Sequence, residues 1–570
     1  MRKTEEILDE ILNKRGITDG EDREEYLSEK PKRTYDPFLL DGMKAGVDLL
    51  ISAAEQGDRI CIYGDYDADG VTASTVMACG VSRLTDDWFF YIPSRFEEGY
   101  GLNVTAIDKI IERGADLIIT VDCGCVSCGE VKYALDKGLK VIVTDHHNIE
   151  DSIAEGIVID PKKPASFMSE DGKEPYPCRD LAGCGVAFKF LQALQRTADL
   201  PKNVLNEALD MVAVGTIGDI VPLRDENRTL VKYGIAAANS GRRPSIARLA
   251  QAISLEEITS SNIAFGIVPH INASGRMASA MAAVELFNST SEDVIETRVQ
   301  QLIQYNRQRK SIQEEAFTKC TENITGDENF IVMNVGDMHE GIAGIVAGKI
   351  KDRYSRPAII VTPSDEVGRG GENVKLLKGT GRSIDGVNIY DVLNSCSDLF
   401  IRFGGHSKAC GFLMEEGNLD RLISSVNSSV EEMLADNPRL FAKKIDIDAE
   451  VTPGDVTVEL ARELLKMAPF GEGNPEPVLR MRNVDIRNLN YMGANSTHAR
   501  FGACAPSSDG NAGGRKAYAE CVLFRTAQDL KPLLEGGEKV DITGTVSHQV
   551  WRGQERVQFI VKDIETVQRG

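Results

Sequence analysis

The feature that most constrains this chain is a set of short apolar runs between residues 59 and 160, three of which end in acidic or acid-histidine segments. RICIY runs into GDYDADG, ADLIITV into Asp122, and LKVIVT into Asp145, His146 and His147. DWFFYIP and GIVID read as further strands, and the spacing predicts a helix from about Val71. Uninterrupted β-rich runs alternating with helical ones specify an α/β fold around a parallel sheet. In such a sheet ligands bind beyond the carboxyl ends of the strands, so Asp65, Asp67, Asp69, Asp122, Asp145, His146 and His147 are delivered to one edge. Asp219, in AVGTIGDIVPL, can close the same site.

That many carboxylates in one place repel and raise one another's pKa unless a cation neutralises them. A lone DxD loop is usually only a turn, and Asp-Gly pairs are common turn chemistry. The joint pattern is different. Oxygen ligands alone suit Mg²⁺, whereas mixed carboxylate and imidazole ligation moves the balance toward Mn²⁺ or another transition ion, and six or more ligands exceed what one ion needs. Two ions can clamp both oxygens of an in-line phosphoryl displacement. Of seven histidines, five (His146, His147, His270, His339 and His406) fall in Gly-rich or acid-rich segments rather than in apolar runs.

A length of 570 residues exceeds one hydrophobic core, and the chain divides by texture. Residues 1–240 read as the catalytic domain with an N-terminal helical extension, and 241–325 as a helical connector. Residues 326–444 form a second, smaller α/β domain, and 445–570 a barrel of short strands. The net charge of -22 argues against a general basic coat for duplex DNA, so any nucleic-acid contact must rest on particular cations. No apolar run is long enough for a bilayer, and the first segment lacks the apolar stretch of a signal peptide, which places the protein in the cytoplasm. Twelve scattered cysteines suit a reducing compartment, and CGCVSC offers three thiols without a downstream partner, so small buried thiols explain it better than zinc.

DYDADG, VDCG, TDHH and GTIGDIVPL resemble, in order, the four motifs of the DHH phosphoesterases. PSRFEEGYGL, HINASGRM, HEGIAGIVAGKI, GTGRSI, GGHSKACGF and the PFGEGNPEP turn are similar to those of RecJ single-stranded-DNA exonucleases. The resemblance covers nearly the whole chain. It implies a DHH domain, a DHH-associated domain and a C-terminal OB-fold barrel. It further implies two Mn²⁺ or Mg²⁺ ions on Asp67, Asp69, Asp122, His146 and Asp219, with Asp122 bridging and Asp65 supporting directly or through water. His147 and Arg276 would contact the scissile phosphate, and Asp145 is counted with them in the catalytic set. Two positions depart from the family: Tyr63 stands where some members have His, and Cys123 where Asn is usual.

By the same resemblance, Arg95, Thr380 and Arg382 would bind a 5′-terminal phosphate. The Gly-rich loops carrying Thr380, Arg382 and His406 can form an anion nest, or be tight turns between packed elements. Asn306 and Arg309 look like contacts to the DNA backbone, although charge on a helix is most often a solvated face. The leading expectation is a monomeric 5′ to 3′ exonuclease on single-stranded DNA, preferring 5′-phosphorylated ends, with a helicase and a single-strand-binding protein as family partners. The alternatives are a DHH phosphodiesterase for short oligonucleotides or cyclic dinucleotides, and a scaffold. The barrel weighs against the first and the full acid set against the second.

Overall fold

The computed structural model describes residues 2–95, 98–99, 101–168, 174–336, 338, 340–364, 375–442, 444–493, 495–505, 517–551 and 553–567. They form two compact units: Met1–Tyr91, Gly101–Val268 and Ile445–Gly570 in the first, and Ile92–Tyr100 with Pro269–Lys444 in the second.

In the first unit, β1 (Ile60–Gly64), β2 (Trp88–Tyr91), β3 (Leu117–Val121), β4 (Lys140–Thr144) and β5 (Ile157–Ile159) make a parallel sheet in the order β2-β1-β3-β4-β5. Every residue of β1 and β3 is buried, as continuous apolar runs require when both faces are covered. The strand order reverses between β1 and β3, so the crevice at their carboxyl ends lies between the loops that carry Asp65 and Asp122. Helix Ala68–Val81 leaves that crevice, and all of its residues but Cys79 are buried. It packs on helices Gly183–Thr197 and Asn203–Gly218. A helix apolar on every side belongs inside a domain, and this one fixes the acids at its start.

The second unit holds a mixed sheet of β6 (Ile331–Asn334), β7 (Ala358–Ser364), β8 (Leu376–Arg382), β9 (Phe400–His406) and β10 (Ala409–Glu415), ordered β6-β7-β8-β10-β9. Its two faces contribute to separate apolar clusters, one with helix Glu340–Tyr354 and one with helix Leu419–Asp436. The amphipathic stretch expected over residues 280–325 is two helices, Met281–Asn288 and the 30-residue Glu292–Thr321.

The barrel belongs to the first unit. Its strands are β11 (Ala449–Glu450), β12 (Leu479–Met492), β13 (His498–Cys504), β14 (Tyr518–Leu523), β15 (Val540–Trp551) and β16 (Gln554–Thr566). Pairing of β12 with β15 closes the sheet. Helix Thr4–Lys14 presents Ile7, Leu8, Ile11 and Leu12 to the barrel's core, and Arg15 ion-pairs with Asp448 at 3.0 Å. Arg228 ties the barrel to the first sheet's helices by donating to the carbonyls of Lys466, Met467 and Ala468. Among the described residues, no helix is long and apolar enough to cross a membrane.

Candidate metal centre

Asp67 caps helix Ala68–Val81, accepting from the backbone N–H groups of Asp69 at 2.8 Å and Gly70 at 3.1 Å. Asp69, the second residue of that helix, is buried. Its Oδ2 accepts from Gly183 N at 2.6 Å and its Oδ1 from Cys184 N at 2.9 Å, at the N-terminus of helix Gly183–Thr197. Asp122 follows β3 in the left-handed region at φ 61° and is locked there by its N–H to Thr144 O at 3.0 Å.

Asp145 is an orienting carboxylate. Its Oδ1 accepts from His146 N at 2.7 Å and His147 N at 3.3 Å and lies 2.6 Å from His147 Nδ1, while Oδ2 accepts from Cys125 N at 2.9 Å. Burial opposes the charge on both partners, but their mutual hydrogen bond outweighs it. Asp145 is held well below the usual carboxylate range, and His147 is raised to about 9.

The structure brings all eight predicted acids and imidazoles of this unit together. Ligand atoms of Asp65, Asp67 and Asp122 lie within 4.8 Å of one another, as do those of Asp69, His146 and Asp219, and those of Asp122, Asp145, His146 and His147. The first two groups meet where His146 Nε2 stands 3.0 Å from Asp122 Oδ1; Asp219 Oδ2 is 3.6 Å and Asp69 Oδ2 3.8 Å from the same nitrogen. Neither ring nitrogen of this buried histidine makes a hydrogen bond among the described residues. A buried imidazole ringed by carboxylates yet bonded to none of them is the arrangement a divalent cation satisfies. Burial, then the neighbouring acids, pushes Asp122 far above its ordinary value and Asp219 up to about 8. The donor set of hard oxygens and one or two imidazoles fits Mn²⁺ or Mg²⁺.

Ions that neutralise this cluster bind the folded state alone. Each contributes about 2.7 kcal/mol at a hundredfold excess over its Kd. Thermal unfolding should therefore move up by a few degrees on adding Mn²⁺ and return on chelation. An unchanged midpoint would contradict the assignment.

Sequence reasoning missed the glycines and amides that shape this centre. A Cβ at Gly70 would lie 2.5 Å from Asp65 O, one at Gly183 2.6 Å from Asp122 Cβ, and one at Gly215 would collide with Thr72, Cys184 and Asp69. Asp160 was also missed, although GIVID ends in an acid as the other strands do. It is buried, accepts from Lys162 N at 2.7 Å, and is raised to about 8 by burial and by Asp145. Tyr63 and Cys123 share one apolar cluster, where Tyr63 donates to Gly101 O at 2.8 Å. Burial, then Asp145, Asp65 and Asp122, keeps the Cys123 thiol protonated.

In the second unit, Thr380 and Arg382 stand on β8 opposite Gly344, where a Cβ would lie 3.2 Å from Thr380 Cγ2 and 2.8 Å from Arg382 Nη2. Burial, and the nearby charge of Arg95, disfavour the Arg382 cation, which an anion would relieve. His406 is exposed and shares a register row with Arg382 across Ala409, two strand spacings or about 9.6 Å away. Arg276 donates to Gly341 O at 2.8 Å. Asn306 is buried, its amide within 3.0 Å of His270 Nε2 and of Arg309 Nε, so it supports Arg309 instead of presenting a surface. His339 lies outside the described residues.

Residues 59–216 match the DHH family N-terminal domain, 327–432 the DHHA1 domain, and 447–563 the RecJ OB domain. The single-stranded-DNA-specific exonuclease RecJ of Escherichia coli (strain K12) is 33% identical over 490 residues, covering 80% of this chain and 81% of that protein. The chain belongs to the RecJ family. RecJ of Bacillus subtilis (strain 168) is 33% identical over 98% of this chain, which spans 67% of that protein's length. The crystal structure of RecJ with Mn²⁺ from Thermus thermophilus superimposes with a TM-score of 0.78 at 27% identity, covering 98% of this chain and 76% of that one. A second RecJ structure from the same organism holds Mg²⁺.

Proposed function

We propose that the chain is a metal-dependent exonuclease that digests single-stranded DNA from the 5′ end and releases mononucleotides in recombination and repair. The observation that carries this reading is the pair of acid clusters joined at Asp122 and His146 in a chain whose RecJ-type barrel adds a strand-binding module. Asp65, Asp67, Asp69, Asp122, His146 and Asp219 would hold two Mn²⁺ or Mg²⁺ ions. When bound, these supply Lewis-acid stabilisation of the phosphate. His147, oriented by Asp145, would donate to the phosphate oxygen on which negative charge grows. Arg276 adds a second cation to that phosphate, and Arg309, steadied by Asn306, meets the strand's backbone.

Arg95, Thr380 and Arg382, with His406, would take the 5′-terminal phosphate and so set polarity. The division at residues 240, 325 and 444, a monomeric state, a cytoplasmic location and cooperation with a helicase and a single-strand-binding protein belong to the same proposal. A short-substrate phosphodiesterase is not favoured, since the barrel would be idle on a dinucleotide.

The test is digestion with Mn²⁺ of single strands labelled at either end, beside duplex and RNA controls. Early release of the 5′ label as a mononucleotide, with a shrinking 3′-labelled ladder, is expected. Intact long strands alongside rapid dinucleotide hydrolysis would overturn the reading. Replacing Arg382 by Ala should cut the preference for a 5′-phosphate by about tenfold or more, the worth of one charge-assisted hydrogen bond; an unchanged preference would remove it from the pocket.

A further inference from the structure

Helix Asn203–Gly218 ends at Asp219, and the next residue, Ile220, adopts φ 61°. This is the left-handed position that follows many helices, where glycine is the usual occupant because it has no Cβ. A β-branched residue there is an outlier whose conformation opposes folding. Ile220 is also 68% exposed, so its side chain returns little by burial. The backbone is held on both sides of it. Asp219 N donates to Gly215 O at 2.8 Å and Ile220 N to Ile217 O at 3.3 Å. Three residues on, the buried Leu223 donates to Glu472 O at 2.8 Å. Strain and exposure thus fall together on one apolar side chain, fixed in place one residue from a carboxylate of the metal centre.

We propose that Ile220 packs against the sugar of the nucleotide whose phosphate is bound at the metal centre, and that it discriminates deoxyribose from ribose. This rests on the single-strand exonuclease reading and deepens it. Consecutive Cα atoms lie about 3.8 Å apart, so Ile220 stands within reach of the groups that flank a phosphate held at Asp219. Those groups are sugar carbons, joined to the phosphate through its ester oxygens; the base lies farther out. An isoleucine against a deoxyribose loses nothing. Against a ribose it strips water from the 2′-hydroxyl and offers no partner in return, which selects against RNA without reading sequence.

The test follows digestion of 5′-phosphorylated strands that carry one ribonucleotide at successive positions from the 5′ end, with wild type, Ile220→Gly and Ile220→Leu. Wild type should digest all-DNA strands and stall when the ribonucleotide reaches the cutting position. Ile220→Gly should pass that position, lowering the DNA-over-ribonucleotide ratio by about tenfold, the worth of one unsatisfied hydroxyl. It should also melt no lower than wild type, because glycine relieves the backbone. Ile220→Leu should keep the stall. A wild-type enzyme that ignores the ribonucleotide, or an Ile220→Gly variant with an unchanged ratio, including equal loss on both substrates, overturns the proposal and leaves the exonuclease reading standing. Failure of wild type to digest all-DNA strands would instead overturn that reading itself.

Discussion

Asp122→Ala should lose at least about 1,000-fold in turnover on single-stranded DNA, about 4 kcal/mol of transition-state stabilisation. The residue belongs both to the Asp65/Asp67 group and to the His146 group, and it stands 3.0 Å from His146 Nε2. Removing it strips a ligand from both halves of the centre at once. Strand binding, read by mobility shift without added metal, should persist because the cations offered to the strand, such as Arg309 and Arg382, are separate from the metal ligands. The variant should fold at least as well as the metal-free wild type, since the lost carboxylate is buried among four acids that repel it. Wild-type turnover in this variant would remove Asp122 from the centre.

The second large effect is expected at a residue that has no titratable group of its own. Gly183→Ala places a methyl 2.6 Å from Asp122 Cβ and 2.9 Å from Asp122 Cα, distances that no side chain rotation relieves. Either Asp122 shifts, or the start of helix Gly183–Thr197 retreats and takes its two N–H donors away from Asp69. Both routes displace ligands by a fraction of an ångström to an ångström, and misplacement on that scale costs about 100-fold in rate. Overpacking should lower stability by about 1–3 kcal/mol as well. The measurements are kcat and Mn²⁺ affinity, with circular dichroism to show that the fold is kept. Unchanged affinity and turnover would mean that the helix start does not set the site.

These two residues mark where sequence reading succeeds and where it stops. Asp65, Asp122 and Asp145 each follow an apolar strand directly, so strand periodicity and the topology of parallel sheets were enough to bring them together. Gly183 was invisible. It meets Asp69 across 114 positions, and its role is to be empty space, which no local pattern encodes. Asp160 carried the same strand-end signal as its neighbours but lacked a flanking motif. The first helix shows a related gap: its period tells which face is buried, not that Ile7 and Ile11 pack inside a barrel more than 430 residues away. Asn306 likewise has the look of a solvated helix position, whereas its burial beside His270 follows only from tertiary packing.

The central claim is that two divalent ions share the cluster around Asp122 and His146. Anomalous scattering from crystals soaked in Mn²⁺ tests it most directly. Two peaks are predicted, one near Asp65 and Asp67 and one near Asp69, His146 and Asp219, with Asp122 next to both. A single peak away from Asp122, or none at these residues, would contradict it.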